Sequence, residues 1–204
     1  MSAAPVEPPH PDEPLTQLAV ANRLMEQNPG HRVEIIGGVI VVTPPPNVPH
    51  ERALKRIAAP LTAAGLDDGE ESELFQGIGV WLPDGPENYA IPDLCVVDAD
   101  IEEHKITNDC YDPIAFRLVL EVTSSNYNND LRAKVVAYGN AKIPVYVIID
   151  RKHDRVHVLT DPVENGYSNH RVHAAGEQIT LPESIGAEVK LDVAELLKAG
   201  KSRL

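Results

Sequence analysis

Two continuously apolar segments, "FRLVLEV" at 116–122 and "PVYVIID" at 144–150, constrain this chain more than any other feature. A strand with one face in water alternates polar and apolar residues, whereas a strand covered on both faces does not. Both segments therefore read as strands in the middle of a sheet, with a helix over about 129–141 between them. The exceptions inside the first run are Arg117 and Glu121. An ionised carboxylate in an apolar setting costs several kcal/mol unless something pairs with it or coordinates it. Glu121 needs a partner or a way out to solvent.

The rest of the chain supplies elements around that pair. Thr16 caps a helix running to about Gln27, with "NPG" as its stop. In "HRVEIIGGVIVVT" apolar residues flank Gly37-Gly38, a two-residue hairpin signal. "PPPNVPH" breaks the chain, and a helix starts near His50 with Leu54, Ile57, Ala58 and Leu61 on one side and Gly65 beyond its end. A strand is expected over Leu74–Leu82 and another in "IPDLCVVD", followed by a polar connection with some helical character. "RVHVLT", "SNHRVHAA" and "EVKLD" read as shorter strands towards an edge, and "DVAELLKA" as a closing helix. No period repeats. The pattern predicts one α/β or α+β domain over 15–204, a mixed sheet flanked by helices. The proline- and acid-rich residues 1–14 read as a disordered tail.

Composition sets the outer limits. The chain has 204 residues, 43% apolar and only 4% aromatic, so one core is expected, built from Val, Ile, Leu and Ala. Cys95 and Cys110 lack paired spacing, and no secretory signal or membrane-length apolar run is present. Free thiols in a reducing cytoplasm are the simplest expectation. The formal net charge of −13 argues against a general nucleic-acid binder, whose phosphate contacts come from Lys and Arg. Two local basic groups stand against that trend: Arg52, Lys55 and Arg56 on one helix, and Arg151, Lys152 and Arg155 around a turn. The histidines at 153, 157, 170 and 173 lack the helical context of a zinc site and read as surface residues.

Asp93, in "IPDLCVVD", is a second acid beside a buried strand. Pro92 cannot donate to a ladder, so Asp93 belongs at a strand start. If its strand neighbours that of Glu121, both carboxylates can project into one cleft, where a cation between them relieves their repulsion. Such oxygen donors suit Mg²⁺ or Mn²⁺. Asp130 and Lys134, four apart, share a helix face, with Tyr138 one turn further on. Blander readings stand beside each of these. Asp130 and Lys134 fit an exposed ion pair, Asp93 a turn or cap, Glu121 a strand-end acid in solvent, and Tyr138 a packed aromatic with its hydroxyl satisfied.

The combination carries more than its parts. "PD" at a strand start, "LEVTS" about 28 residues later, then "DLRAKVVAY" and "IPVYVIID" resemble the PD-(D/E)XK nuclease superfamily. From His31 to Leu197 the chain is similar to the Uma-two group of restriction endonucleases within it, formerly a domain of unknown function. "VEIIGGVIVVTPPPNVPH" matches that group's opening hairpin and loop; "GYSNHRVHAAGEQITLPESIGAEVKLDVAELL" matches its closing strands and helix. The resemblance implies a restriction-endonuclease-like sheet with an added N-terminal hairpin and C-terminal edge strands. It also implies a Mg²⁺-dependent endonuclease acting on DNA, dimeric so that both strands are cut. Carried over, Asp93, Glu121 and the Val122 carbonyl are the metal ligands, and Asp93, Glu121 and Lys134 the catalytic set. Thr123 stands where the superfamily carries its lysine, a departure that Lys134 compensates. Glu34, His50, Thr123, Asp130 and Tyr138 are implied site-lining positions. Val145 and Val147 depart from the Glu and Trp often found there in the group. The competing expectation is a catalytically silent descendant that keeps the fold for binding or regulation.

Overall fold

The computed structural model of the protein describes residues 15–123 and 129–202, and of Asn129 and Asp130 the backbone only. The segment read as a tail, 1–14, lies outside the described residues. Helix α1 (Gln17–Gln27) begins on Thr16, whose hydroxyl accepts from the Ala19 amide. It packs on a hairpin of β1 (Arg32–Ile36) and β2 (Val39–Thr43), turned by Gly37 and Gly38 at φ of 56° and 74°. Those left-handed angles carry a steric cost for any side chain except glycine's, and they match the twist of the paired strands. Helix α2 (Val48–Ala63) starts two residues before His50, because the Asn47 side chain caps it by accepting from the His50 amide.

The strand expected over Leu74–Leu82 is two strands in different sheets. β3 (Ser72–Phe75) joins the central sheet and β4 (Gly79–Trp81) the hairpin sheet. The chain breaks between them at Gly77, whose φ is 74°, while the apolar pattern runs on across the break. After β5 (Tyr89–Ala90) and β6 (Leu94–Asp98), the polar connection holds a 3₁₀ turn and the short β7 (Lys105–Thr107) and β8 (Cys110–Tyr111). Then come β9 (Phe116–Val122), a π-helical segment at Asn129–Ala133, α3 (Lys134–Asn140) and β10 (Val145–Asp150). β11 (Arg155–Val163) and β12 (Gly166–Ala174) form a nine-by-nine-residue hairpin, longer than their sequence pattern suggests. β13 (Gln178–Leu181), which the pattern does not reveal, pairs with β14 (Val189–Asp192) before α4 (Val193–Ala199).

The central sheet runs β12-β11-β10-β9-β6-β3, and the hairpin sheet β2-β1-β5-β4-β8-β7. β9 and β10 are parallel and in the middle, as their continuous apolar character requires. β6 lies antiparallel to β9 with Leu94 opposite Leu120, so Asp93, just before Leu94, comes alongside Glu121, just after Leu120. Side chains alternate across β9. Leu118, Leu120 and Val122 enter the core beneath α2 and α4 with Ile57, Val147 and Leu196. Val119 enters the opposite core with Tyr138 and Ile148. Glu121 shares the face of Val119 and points towards α3. Val145 and Val147, the departures on β10, are both fully buried. Cys95 and Cys110 are free and buried, as their spacing suggests, and burial pushes each thiol up to about 12. Among the described residues no helix is long and apolar enough to cross a membrane.

Candidate active site

Three carboxylates and two cations meet where the hairpin sheet abuts the open ends of β6 and β9. β1 contributes Arg32 and Glu34, two residues apart and therefore on one face. Asp93 precedes β6, Glu121 is the last residue but one of β9, and Lys134 opens α3. Glu34, Glu121 and Lys134 are 1–2% exposed and Asp93 7%. Buried charges at this density persist only with close partners, and each has them.

Lys134 Nζ lies 2.6 Å from Glu121 Oε1 and 2.9 Å from Glu34 Oε1. Tyr138 donates its hydroxyl to Glu121 Oε1 at 3.0 Å, and the Ile91 amide donates to Glu34 Oε1 at 2.8 Å. Asp93 divides its oxygens. Oδ2 accepts from the Val122 amide at 2.7 Å and from His50 Nε2 at 2.9 Å. Oδ1 accepts from Arg32 Nη1 at 2.7 Å. Arg32 also reaches Glu34 Oε2 at 3.8 Å and Glu121 Oε2 at 4.0 Å, so it touches all three acids.

These contacts set protonation. Burial alone would raise the Asp93 carboxyl; the His50 hydrogen bond and the Arg32 charge outweigh it and hold Asp93 below the ordinary carboxylate range. Burial likewise opposes the charge on Arg32, but Glu121, Asp93 and Glu34 keep its guanidinium more firmly protonated than usual. Burial, reinforced by the negative charge of Glu121, raises Tyr138, which therefore stays a neutral donor. Its ring packs edge-on against Tyr146 at 4.9 Å, as expected of a packed aromatic with its hydroxyl satisfied.

The exposed Asp130–Lys134 pair does not describe Lys134, which is buried against Glu121 and Glu34. The side chain of Asp130 lies outside the described residues. The π-helical segment before Lys134 is a widened turn of the kind often found at functional sites. Thr123 ties the end of β9 to β10: its hydroxyl accepts from the Arg151 amide at 3.0 Å, and its own amide donates to the Ile149 carbonyl. Sequence reasoning missed Arg32. Its one signal was the two-residue spacing from Glu34.

A cleft of about 620 Å³ opens over this cluster, and Arg32, His50, Asp93, Thr123, Arg151 and Lys152 help line it. Glu34, Glu121, Lys134 and Tyr138 do not line it and lie deeper. Arg32 Nε and His50 Nδ1 are buried and make no hydrogen bond within the protein. The donor set offers a cation two carboxylates; among the described residues no three His, Cys, Asp or Glu side chains come together as a metal site. Two carboxylates completed by a main-chain carbonyl and water fit Mg²⁺ or Mn²⁺, which keep part of their hydration, and do not fit an all-side-chain zinc cage. Arg32 Nη1 already stands 2.7 Å from Asp93 Oδ1, so a cation held by that carboxylate would compete with the guanidinium.

The family model described as "Uma2: Putative restriction endonuclease" matches residues 17–194. The chain belongs to the Uma2 family. The Uma2 match runs from the first residue of α1 into α4 and contains every residue of the cluster. Among solved structures the chain is similar to one described as a putative nuclease belonging to DUF820, from Anabaena variabilis ATCC 29413. The two share 15% identity with a TM-score of 0.63, over 83% of this chain and 91% of that one. At that identity the likeness establishes a common fold. No curated protein matches the chain.

Proposed function

We propose that the chain is a divalent-metal-dependent endonuclease that hydrolyses phosphodiester bonds in DNA, with Asp93, Glu121 and Lys134 as its catalytic residues. The observation that carries this reading is the burial of Lys134 against Glu121 at 2.6 Å. A lysine from the following helix thus reaches the carboxylate of β9 although Thr123 occupies the superfamily's usual lysine position. Asp93, Glu121 and the Val122 carbonyl would hold Mg²⁺ or Mn²⁺, which supplies Lewis-acid polarisation of the phosphate and a bound water of lowered pKa.

The chain's own groups do the rest. His50 and the Val122 amide fix Asp93 in one orientation and keep it ionised. Tyr138 and Lys134 hold Glu121 in place, both through its Oε1. The Lys134 ammonium, held behind Glu121, would lend its positive charge to the attacked phosphate from beneath that carboxylate. Cutting both strands of a duplex needs two such sites, so a homodimer belongs to the proposal, as does a reducing, cytoplasmic setting for the two free thiols.

A second reading, a catalytically silent binding module, draws on Arg32: a guanidinium already on Asp93 Oδ1 relieves carboxylate repulsion without a metal. Cleavage of supercoiled plasmid in Mg²⁺, Mn²⁺ or EDTA separates the two. The nuclease reading expects nicking with metal, none in EDTA, and loss in Asp93→Ala, Glu121→Ala and Lys134→Ala. Activity that survives Glu121→Ala contradicts it, and a wild type inert with either metal favours the silent module.

A further inference from the structure

A net charge of −13 sits poorly with a DNA substrate, and the placement of the cations addresses that conflict. Arg52, Lys55 and Arg56, at i, i+3 and i+4, share one face of α2. Across a groove of about 620 Å³ they meet Lys198 and Lys201 at the end of α4. One acid, Glu195, stands among these five cations, 3.2 Å from Arg56 and 3.9 Å from Lys198. Lys201 pairs with Asp154 at 2.9 Å. Among the described residues Arg52 and Lys55 have no carboxylate within salt-bridge distance. Lys198 is 81% exposed and Arg56 55%, so the charge is presented to solvent.

The groove and the cleft are neighbours across α2. α2 faces both: His50, Glu51 and Leu54 line the cleft, while Arg52, Lys55 and Arg56 line the groove. Arg151 spans the boundary. It lines the cleft, donates from Nη1 to Asn47 Oδ1 at 3.4 Å, and donates from Nε to the Gly200 carbonyl at 2.9 Å. Gly200 lies between Ala199 and Lys201, which line the groove. His50 and Arg56 are six residues apart, so the helix separates their backbones by about 9 Å, roughly the rise of two to three base pairs.

We propose that the α2–α4 groove binds the sugar–phosphate backbone of duplex DNA where the duplex runs on from the catalytic cleft. Cations strung along a helix suit a polyanion of regular spacing; a small anion calls for donors converging on one point. The groove also confines binding to one face of an acidic protein, whose remaining surface repels DNA. The proposal rests on the nuclease reading.

The test measures anisotropy of a fluorescein-labelled DNA duplex of two helical turns, in EDTA so that no cleavage occurs. It compares the full wild-type chain with the triple variant Arg52→Glu, Lys55→Glu, Lys198→Glu. The expected result is duplex affinity lower by about tenfold or more near 0.1 M salt. The slope of log affinity against log salt should also flatten by roughly 0.9 for each phosphate that the variant no longer neutralises. Manganese-dependent hydrolysis of bis(p-nitrophenyl) phosphate, too small to reach the groove, should be unchanged, which shows the variant is folded. Equal affinity and equal slope in variant and wild type overturn the proposal, as does a wild type that does not bind the duplex. A groove-dependent duplex complex with no metal-dependent hydrolysis leaves the groove standing and overturns the nuclease reading instead.

Discussion

The cleft cluster and the α2–α4 groove are both dense in charged residues, and they use charge in opposite ways. In the cluster, Lys134 and Arg32 lie within 4.0 Å of carboxylates that water hardly reaches. In the groove, Arg56 and Glu195 approach at 3.2 Å but are about half exposed. Burial decides the difference. Removing one partner of a buried pair strands the other, at a cost of about 3–5 kcal/mol, whereas an exposed pair is worth roughly 0–1 kcal/mol. The cluster holds a geometry; the groove presents a field.

That contrast is sharpest in stability. Lys134→Ala leaves Glu121 and Glu34 facing each other without their ammonium, and the melting temperature should fall by roughly 10 °C in EDTA. Adding Glu121→Gln to Lys134→Met should recover much of that loss, since no unpaired charge remains on β9. A lysine variant that melts with the wild type would remove the contrast.

A smaller effect appears on acidification. Asp93 is held below its ordinary value, so its contribution is fully present above about pH 4 and is lost as pH falls towards its folded value. Denaturant unfolding in EDTA between neutral and acidic pH should therefore show the wild type losing stability below about pH 4 more steeply than Asp93→Asn. Parallel curves would mean that Asp93 carries no special share of the acid sensitivity. The smallest effect is expected in the groove, where Arg56→Ala should move the melting temperature by less than about 3 °C. A larger shift would make Arg56 a packing residue and weaken its assignment to a DNA-facing surface.

How much of this was legible depended on how local each signal was. Glu121 stood out because an acid interrupts a continuous apolar strand, and Asp93 because Pro92 marks a strand start. The central strands, the hairpin at Gly37-Gly38 and the cap at Thr16 follow from side-chain period and turn chemistry within a few residues. Lys134 was legible only by resemblance; its spacing from Asp130 pointed to a surface pair. Arg32 was not legible, because an arginine on an alternating hairpin belongs in solvent until a second sheet closes over it. The division of Leu74–Leu82 between two sheets was hidden for a related reason. Apolar pattern reports burial, and Ile78 continues the pattern while the backbone turns at Gly77. The basic residues of α2 were visible in the sequence, but their partners on α4 lie about 140 residues away and meet them only through tertiary packing.

Calorimetric titration of Mn²⁺ into metal-free protein asks whether Asp93 and Glu121 together hold a divalent cation, as proposed. Saturable binding by the wild type is expected, and its loss in both Asp93→Asn and Glu121→Gln, variants that keep the shape of the site and remove a ligand charge. Equal Mn²⁺ affinity in the wild type and both variants, or no binding by the wild type, would contradict it.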